Sequence, residues 1–402
     1  MRCDGEAPME VRSRKDSMFR SLIALALGTF LLGMSEFSME GILPDVSRDM
    51  AVSIPMAGHI ISVYALGVCT GAVFLIVLGN VRPKRLILAF VGMALLGSLL
   101  SVSAQSFSWL LASRFISGLP HGAYYGVGTI IASRLADEKH KTRAVAVMCA
   151  GMTFANLLGV PVSTLLSGTL SWRLPFVVIA LVGVIALILD HKWIPDLEPL
   201  PTRGFRGQFS FLRHLAPWLI ILATMFGNGG ILAWYSYISP TLVELGGIDA
   251  LWLPELMALA GGGMVAGNLL AGWISDRFLP GMTAAALQLI AAACLLMVFF
   301  FAEYGWLSII LMVITCTCLF GIGTPEQYLI IRHSPGGEML GGCCIQIAFN
   351  FGNAMGAVLG GIPISAGLGY EWPAMVGFPA VLLGAALLFW FSRRYEKGRQ
   401  QS

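Results

Sequence analysis

The sequence predicts an all-α polytopic membrane protein with twelve transmembrane helices in two six-helix bundles. Its 402 residues are 57% hydrophobic and only 12% charged, whereas a soluble domain carries roughly 25% charged residues. The mean hydropathy is +0.79, and apolar runs of about 20 residues, the length that crosses a bilayer as a helix, recur along the chain. Together with the placement of the basic residues, these observations exclude a soluble protein.

Apolar windows of spanning length predict the individual helices. In chain order they cover residues 21–43, 56–79, 86–104, 109–133, 144–168, 174–190, 217–241, 252–275, 282–302, 305–324, 339–362 and 372–392. The distribution of lysine and arginine tests this count. With the N-terminus inside, only Arg48 and Arg173 fall in external segments and Arg114 falls within a span, so 22 of the 25 basic residues are cytoplasmic. Such a bias predicts two cytoplasmic termini and an even number of spans.

The chain is expected to divide into two halves. We predict a cytoplasmic tail at 1–20, a first bundle at 21–190, a proline- and glycine-containing linker at 191–216, a second bundle at 217–392 and a cytoplasmic tail at 393–402.

Two short motifs recur between these halves. Gly67-Val-Cys-Thr-Gly71 of the second span matches Gly263-Met-Val-Ala-Gly267 of the eighth at an offset of 196 residues. Asn156-Leu-Leu-Gly159 of the fifth span matches Asn353-Ala-Met-Gly356 of the eleventh at an offset of 197. Six helices separate the copies, so both run in the same direction, as in transporters built from parallel repeats.

Three charged residues lie inside the first and fourth spans. Glu36 and Glu40 are four residues apart and therefore share one helix face, and Arg114 lies at a similar depth. A charge within a span is costly and indicates a function, so we expect all three residues to take part in proton coupling. Two alternatives stay open: Glu40 is solvated at the membrane surface, and Arg114 forms a static structural ion pair.

Polar side chains in other spans predict a cavity for a solute. They are His121 and Tyr125 in the fourth span, Thr224, Asn228, Trp234 and Tyr235 in the seventh, and Gln346 and Asn350 in the eleventh. Amides and aromatic rings suit a polar or amphipathic solute, and an imidazole near the midplane can titrate or donate a hydrogen bond. The alternatives are a neutral histidine satisfied within its own bundle and amides that only bond neighbouring helices.

Several function classes lack their sequence signatures. The chain contains no G-x-x-x-x-G-K-[ST], H-E-x-x-H or G-x-S-x-G pattern, and its cysteines lack the spacing of zinc ligands. We therefore expect no enzymatic activity, no metal and no cofactor.

Motifs along most of the chain resemble the major facilitator superfamily, and within it the bacterial drug/proton antiporter branch. They are Gly28-Thr-Phe-Leu-Leu-Gly-Met-Ser-Glu36-Phe, Arg114-Phe-Ile-Ser-Gly-Leu-Pro-His-Gly-Ala123, Gly159-Val-Pro161, Trp172-Arg-Leu-Pro-Phe176, Ala223-Thr-Met-Phe-Gly-Asn228 and Ala348-Phe-Asn-Phe-Gly-Asn353. The resemblance implies the major facilitator fold, a central cavity lined mainly by the first, fourth, seventh and tenth helices, and export coupled to proton entry. It also implies a role for Arg114 in proton transfer.

The cytoplasmic gate motif of that family departs from its usual form here. It reads Gly79-Asn80-Val-Arg82-Pro-Lys84-Arg85 after the second span, with Asn80 in place of an acid. The second half keeps the pattern at Asp276 and Arg277. The resemblance thus implies a gate at Asn80, Arg82, Asp276 and Arg277, with Asp276 as its acidic partner.

The combined expectation is a secondary active transporter of the bacterial cytoplasmic membrane. It would export a small polar or amphipathic solute, a sugar or a drug-like molecule, by proton antiport. Its partners would be the solute, protons and the lipid bilayer, with no nucleic acid and no need for an oligomer. A uniporter or importer of the same fold, and a membrane receptor that transports nothing, are the alternatives.

Overall fold

The computed structural model describes residues 9–75, 81–137, 141–199, 209–275, 277–335 and 337–396, and every regular element in them is helical. In a bilayer, helices give each backbone N–H and C=O a partner without water. The predicted all-α class is confirmed.

The first half contains seven α-helices. They are α1 (Met9–Asp49), α2 (Ile54–Leu75), α3 (Pro83–Val102), α4 (Phe107–Leu135), α5 (Lys141–Phe154), α6 (Val160–Thr169) and α7 (Leu174–Trp193). A π-helical turn at Ala155–Gly159 joins α5 to α6. A proline lies in the first turn of α3 and α7, where its missing N–H leaves no helix bond unmade.

The second half contains six α-helices. They are α8 (Leu215–Tyr235), α9 (Leu253–Ser275), α10 (Pro280–Phe301), α11 (Gly305–Arg332), α12 (Glu338–Ser365) and α13 (Trp372–Phe391). Short helical turns at Ile238–Pro240 and Thr241–Leu245 extend α8.

Eleven helical segments in the described part of the chain are long and apolar enough to cross a membrane. The helix α4 is not among them, although its 29 residues extend over about 43 Å. Polar residues such as Arg114, Ser117 and His121 lower the mean hydropathy of this helix. The described residues therefore show eleven apolar segments of spanning length against the twelve that were predicted, and α4 is a long helix of more polar sequence.

Helices pack mainly against others of the same half. The helix α2 packs on α4 and α1 on α5, while α8 packs on α12 and α13 and α9 on α11. Two larger contacts join the halves, α2 with α12 and α6 with α9. The π-helical turn before α6 also touches α9: a Cβ on Gly261 would overlap the carbonyl oxygen of Asn156, so glycine lets the two backbones approach.

The recurring glycine pair makes equivalent contacts in both halves. A Cβ on Gly71 would overlap the carbonyl oxygen of Leu119 on α4, and a Cβ on Gly267 would overlap that of Thr317 on α11. The partners are 198 residues apart, close to the spacing of the glycines themselves. The two halves therefore repeat this helix packing as well as the motif.

Candidate functional site

A cluster of buried polar residues lies between α1, α2 and α4. The helix α1 contributes Ser35 and Glu36, α2 contributes Tyr64, and α4 contributes Arg114 and His121. None of these five residues is more than 2% exposed. We call them the Glu36 cluster.

The Glu36 carboxyl group is incompletely hydrogen-bonded. Its Oε2 lies 3.6 Å from Nε2 of His121, beyond a normal hydrogen bond, and its Oε1 has no partner. The other ring nitrogen of His121, Nδ1, lies 2.8 Å from the Tyr64 hydroxyl, and the ring stacks on Tyr125 with centroids 5.5 Å apart. A carboxyl, an imidazole and a phenol thus lie in a row, and these are groups that transfer protons in proteins.

Arg114 is the one buried lysine or arginine in the part of the chain that the structure describes. Its guanidinium donates to Ser35 Oγ at 3.2 Å and to the Ser35 carbonyl oxygen at 2.7 Å, and it lies 4.3 Å above the Tyr64 ring. The ion pairs of the described residues do not include one between Arg114 and Glu36 or Glu40. The ion pair between Arg114 and a glutamate of α1, which the similar depths of these residues allow, is not formed in this structure. Arg114 is nevertheless close enough to attract both carboxyl groups.

Glu40 lies in the protein interior. It is 0% exposed, and neither carboxyl oxygen has a hydrogen-bond partner. The helix α1 continues to Asp49 through Pro44, well beyond the predicted end at residue 43, which contradicts the alternative of a solvated Glu40. Its backbone carbonyl accepts a hydrogen bond of 2.6 Å from Ser239 of the second half.

The second half also reaches the Glu36 cluster directly. The side chain of Asn353 on α12 interacts with the Glu36 carboxyl group, but neither of its amide atoms makes a hydrogen bond of normal distance and angle. This residue belongs to the repeated Asn-x-x-Gly motif. The surroundings of Glu36 therefore depend on how the two halves pack.

Thr224 and Asn228, predicted to line a cavity, instead contact a carboxyl group that the sequence analysis missed. Thr224 Oγ1 lies 2.9 Å from Oε2 of Glu326 on α11, and Asn228 Nδ2 lies 3.3 Å from the same atom. Nε2 of Gln288 on α10 donates to Glu326 Oε1 at 3.2 Å. We call these four residues the Glu326 cluster. The predicted span ended at residue 324, two residues before this acid, so the signal of a charge within a span was not applied to Glu326.

The other predicted cavity residues remain apart from both clusters. Trp234 and Tyr235 are buried near the end of α8, and the Trp234 Nε1 has no partner. Asn350 donates to the carbonyl oxygen of Gln346 in its own helix at 3.0 Å, which leaves the Asn350 Oδ1 unpaired.

Two comparisons identify the family once this geometry is known. The model of the Major Facilitator Superfamily matches residues 25–341. A putative transporter named AraJ, from Escherichia coli, is 41% identical over 372 residues, which cover 92% of this chain and 94% of that protein. The chain belongs to the major facilitator superfamily. It is thus a multi-pass membrane transporter rather than an enzyme, as the sequence predicts.

Another relative and a solved structure of the superfamily extend the comparison. A probable sugar efflux transporter from Helicobacter acinonychis is 26% identical, with 95% of this chain and 96% of that protein covered. The crystal structure of a bacterial homologue of the human lysosomal transporter Spinster, inward-facing and unoccupied, has a TM-score of 0.70 at 18% identity. It covers 98% of this chain and 99% of that chain, and this likeness concerns the fold alone.

The gate residues implied by the superfamily motif are only partly described. Asn80 and Asp276 lie outside the described residues. Arg82 forms an ion pair with Asp196, and the Arg277 guanidinium lies 3.9 Å from the centre of the Trp273 ring. Arg82 therefore contacts the segment that follows α7, and Arg277 contacts the last turn of α9.

The described residues include no group of three or more histidine, cysteine or acidic side chains that could hold an ion.

Proposed function

We propose that this major facilitator transporter exports a small polar or amphipathic solute in exchange for protons, and that Glu36 carries the proton. The observation behind the proposal is the state of the Glu36 carboxyl group. It is buried, it lies beside His121, and the nearby Arg114 is bonded to Ser35 instead. A carboxyl group in such a place can gain or lose a proton when its neighbours move.

The relation between Glu36 and Arg114 supplies the coupling. A buried carboxyl group is more stable when protonated unless a cation compensates its charge. The present arrangement, with Arg114 held by Ser35, favours the protonated form. A shift of α1 against α4 that brings the guanidinium to the carboxylate would favour release of the proton.

Contacts between the halves would drive this shift. Asn353 lies beside Glu36, and Ser239 is bonded to the backbone of Glu40. Motion of one half against the other would therefore change the packing of α1 at both residues. A ligand that binds one arrangement better shifts the population toward it.

We place the protein in the bacterial cytoplasmic membrane with twelve spans and both termini inside. In this proposal α4 is the remaining span, and the two six-helix bundles are residues 21–190 and 217–392, joined by the linker at 191–216. The end that carries the α1–α2 connection is then external. The Ser239–Glu40 bond at that end supports a state closed to the outside.

The solute would bind between the bundles. His121 and Tyr125 of α4, and Gln346 and Asn350 of α12, supply the polar and aromatic groups that orient a hydroxylated or amphipathic molecule. Trp234 and Tyr235 supply apolar area at the outer end. The Helicobacter relative, named for sugar efflux, supports a sugar as the solute and export as the direction.

The gate would close at the opposite, cytoplasmic end. We assign this gate to Asn80, Arg82, Asp276 and Arg277, with Asp276 as its acidic residue. We expect Asp276→Asn to change the rate of transport while the affinity for the solute stays within about twofold, because the gate shifts populations rather than contacting the solute.

Flux into liposomes tests the proposed function. Purified protein would be assayed with labelled pentoses and hexoses and with a fluorescent amphipathic dye, in the presence and absence of an imposed pH gradient. We expect at least one of these solutes to move faster with the gradient, and Glu36→Gln to remove that acceleration.

Glu255→Gln is the matched control, because it makes the same change at an exposed glutamate. It should keep the response to the gradient. Transport that is equally fast with and without the gradient would support a uniporter instead. A gradient response that survives in Glu36→Gln would remove Glu36 from the mechanism.

A further inference from the structure

The Glu326 cluster contains a buried carboxyl group of the second half, far along the chain from Glu36. Glu326 is 0% exposed and lies on α11 between α8, which carries Thr224 and Asn228, and α10, which carries Gln288. Two glycines make room for Gln288, since a Cβ on Gly227 or on Gly384 would overlap its amide group. The helices thus approach closely around this amide and aim it at the carboxyl group.

The charge of a Glu326 carboxylate would be uncompensated within the second half. The sequences of α8, α10 and α13 contain no lysine, arginine, histidine or acid. The nearest basic residue of α11 is Arg332, six residues and about 9 Å further along the helix, and it is exposed. No ion pair of the described residues involves Glu326. Burial without a cation strongly favours the neutral acid.

Other titratable side chains of the neighbouring elements do not alter this balance. The elements packed against α11 carry these titratable side chains: Tyr235 of α8, Glu244 of the turn that follows α8, Glu255 of α9, Cys294 of α10, and Glu338, Cys343 and Cys344 of α12. The helix α11 itself carries Cys316, Cys318 and Tyr328. Across the halves, Phe37 of α1 touches Phe320 of α11, so Glu36 is the neighbouring acid there. None of these groups supplies a positive charge.

The hydrogen bonds of Thr224 fit a protonated Glu326. The single hydroxyl hydrogen of Thr224 faces two oxygen atoms, the Ile220 carbonyl oxygen and Glu326 Oε2, each 2.9 Å from Oγ1. If Glu326 carries a proton on Oε2, it donates to Thr224 and Thr224 donates to Ile220, so that both contacts are hydrogen bonds.

The same pocket also accommodates the carboxylate. Without the proton, Oε2 accepts from Thr224 and from Asn228, and Oε1 accepts from Gln288. The orientation of the Gln288 amide is fixed, because its Nε2 also donates to the Ala223 carbonyl oxygen at 3.2 Å. Neutral hydrogen-bond donors stabilise a carboxylate even where no cation is present. Both protonation states therefore have partners, as a site of proton exchange requires.

We propose that Glu326 is a second proton-binding site, located in the second half and independent of Glu36. On release, the O–H bond at Oε2 breaks, its electron pair stays on the carboxylate, and the proton passes to a water molecule. Thr224 then turns its hydroxyl hydrogen from Ile220 to Glu326. In this proposal Glu36 holds an exchangeable proton in the first half and Glu326 holds one in the second.

Infrared difference spectroscopy of the whole protein in liposomes tests this site with the proton as its own probe. Spectra recorded from about pH 5 to about pH 10 cover the range above the ordinary pKa of a glutamate side chain. We expect the wild type to show the carbonyl absorption of a buried protonated acid that fades as the pH rises. Glu326→Gln should lack this component, whereas Glu36→Gln and the exposed control Glu255→Gln should retain it.

Two results would overturn the proposal. A spectrum of Glu326→Gln that matches the wild type at every pH would mean that Glu326 is never protonated. An absorption that is lost in Glu326→Gln but constant over the whole pH range in the wild type would mean a permanently neutral, structural acid. Because this measurement needs no transport, its failure is distinct from a failure of the proposed coupling through Glu36.

Thr224→Val keeps the proposal testable if Glu326→Gln does not insert into the membrane. Valine preserves the shape but removes the hydroxyl group, and hydrogen bonds to charged groups are stronger than those to neutral ones. The substitution should therefore remove more stabilisation from the ionised Glu326 than from the protonated one. We expect the midpoint of the Glu326 titration to rise by about one pH unit, and an unchanged midpoint would contradict the arrangement described here.

Discussion

The two buried carboxyl clusters differ in what surrounds the acid. Glu36 lies near a guanidinium, an imidazole and an amide from the other half, and it makes few normal hydrogen bonds with them. Glu326 lies among neutral side chains of its own half, and three of them are within hydrogen-bond distance. The protonation of Glu36 should therefore respond to motion between the halves, and that of Glu326 to local access of water.

This difference shows how one residue type can take two roles in one transporter. Near a mobile cation, a change of distance alters the balance between carboxylate and acid by Coulomb attraction, which is strong at low dielectric. Among neutral donors, the balance changes only when a hydroxyl or amide reorients or when water enters. Mutations at the two clusters should therefore have distinct signatures, which the following experiments separate.

Removal of Arg114 should have the largest effect. Arg114→Ala takes away the one buried cation of the described residues and its bonds to Ser35, and hydrogen bonds to charged groups contribute about 1.5–3 kcal/mol each. We expect gradient-driven flux to fall by more than about tenfold at equal membrane abundance. Arg114→Lys should keep part of the flux, because lysine has the charge without the planar fork.

Arg48→Ala is the control for this prediction, since Arg48 is an exposed arginine paired with Asp45. It should transport like the wild type. If Arg114→Ala has the flux and pH profile of the wild type, Glu36 couples transport without a nearby cation. The proposed difference between the Glu36 and Glu326 clusters would then be wrong.

Ser239→Ala should change the contact between the halves by a smaller amount. The lost hydrogen bond to the Glu40 carbonyl oxygen contributes about 1 kcal/mol, which corresponds to a roughly fivefold shift between closed and open states at that end. Distances between spin labels on the two halves measure this shift. Ser236→Ala is the control, because the Ser236 hydroxyl group is also buried but has no partner, and an equal shift in both variants would contradict the role of the bond.

Tyr64→Phe should alter the pH dependence of flux more than its maximum. The phenol holds Nδ1 of His121 at 2.8 Å, and without it the imidazole is free to turn away from Glu36. We expect a change of no more than about threefold in maximal flux, with a shifted pH profile. Tyr304→Phe, at an exposed tyrosine, should leave both unchanged, and an unshifted profile for Tyr64→Phe would place His121 outside the proton route.

Loss of the Arg82–Asp196 ion pair should have the smallest effect. Both side chains are about half exposed, and exposed ion pairs contribute about 0–1 kcal/mol. Asp196→Asn should keep its flux within about twofold and its melting temperature nearly unchanged. A large loss of flux would indicate that Arg82 is positioned by Asp196 for the gate.

Hydropathy was sufficient to predict the all-α class, because the bilayer requires long apolar helices whatever their packing. They did not predict that α1 extends to Asp49, since Pro44 favours an earlier end. Depth along a helix placed Arg114 near Glu36 but could not give the rotation of each helix, so Ser35 as the partner of Arg114 was not predictable. Glu326 was missed because the predicted span ended at residue 324, whereas α11 continues to Arg332 and brings this acid against Thr224 and Asn228.

Proton counterflow tests the central claim most directly. Liposomes that contain a pH-sensitive dye and the transporter would receive a gradient of the solute found in the flux assay, with no pH gradient imposed. The account predicts that the solute gradient moves protons in the opposite direction in the wild type and in Glu255→Gln, and that Glu36→Gln abolishes this movement. Undiminished proton movement in Glu36→Gln at matched protein abundance would contradict the claim that Glu36 couples the two fluxes.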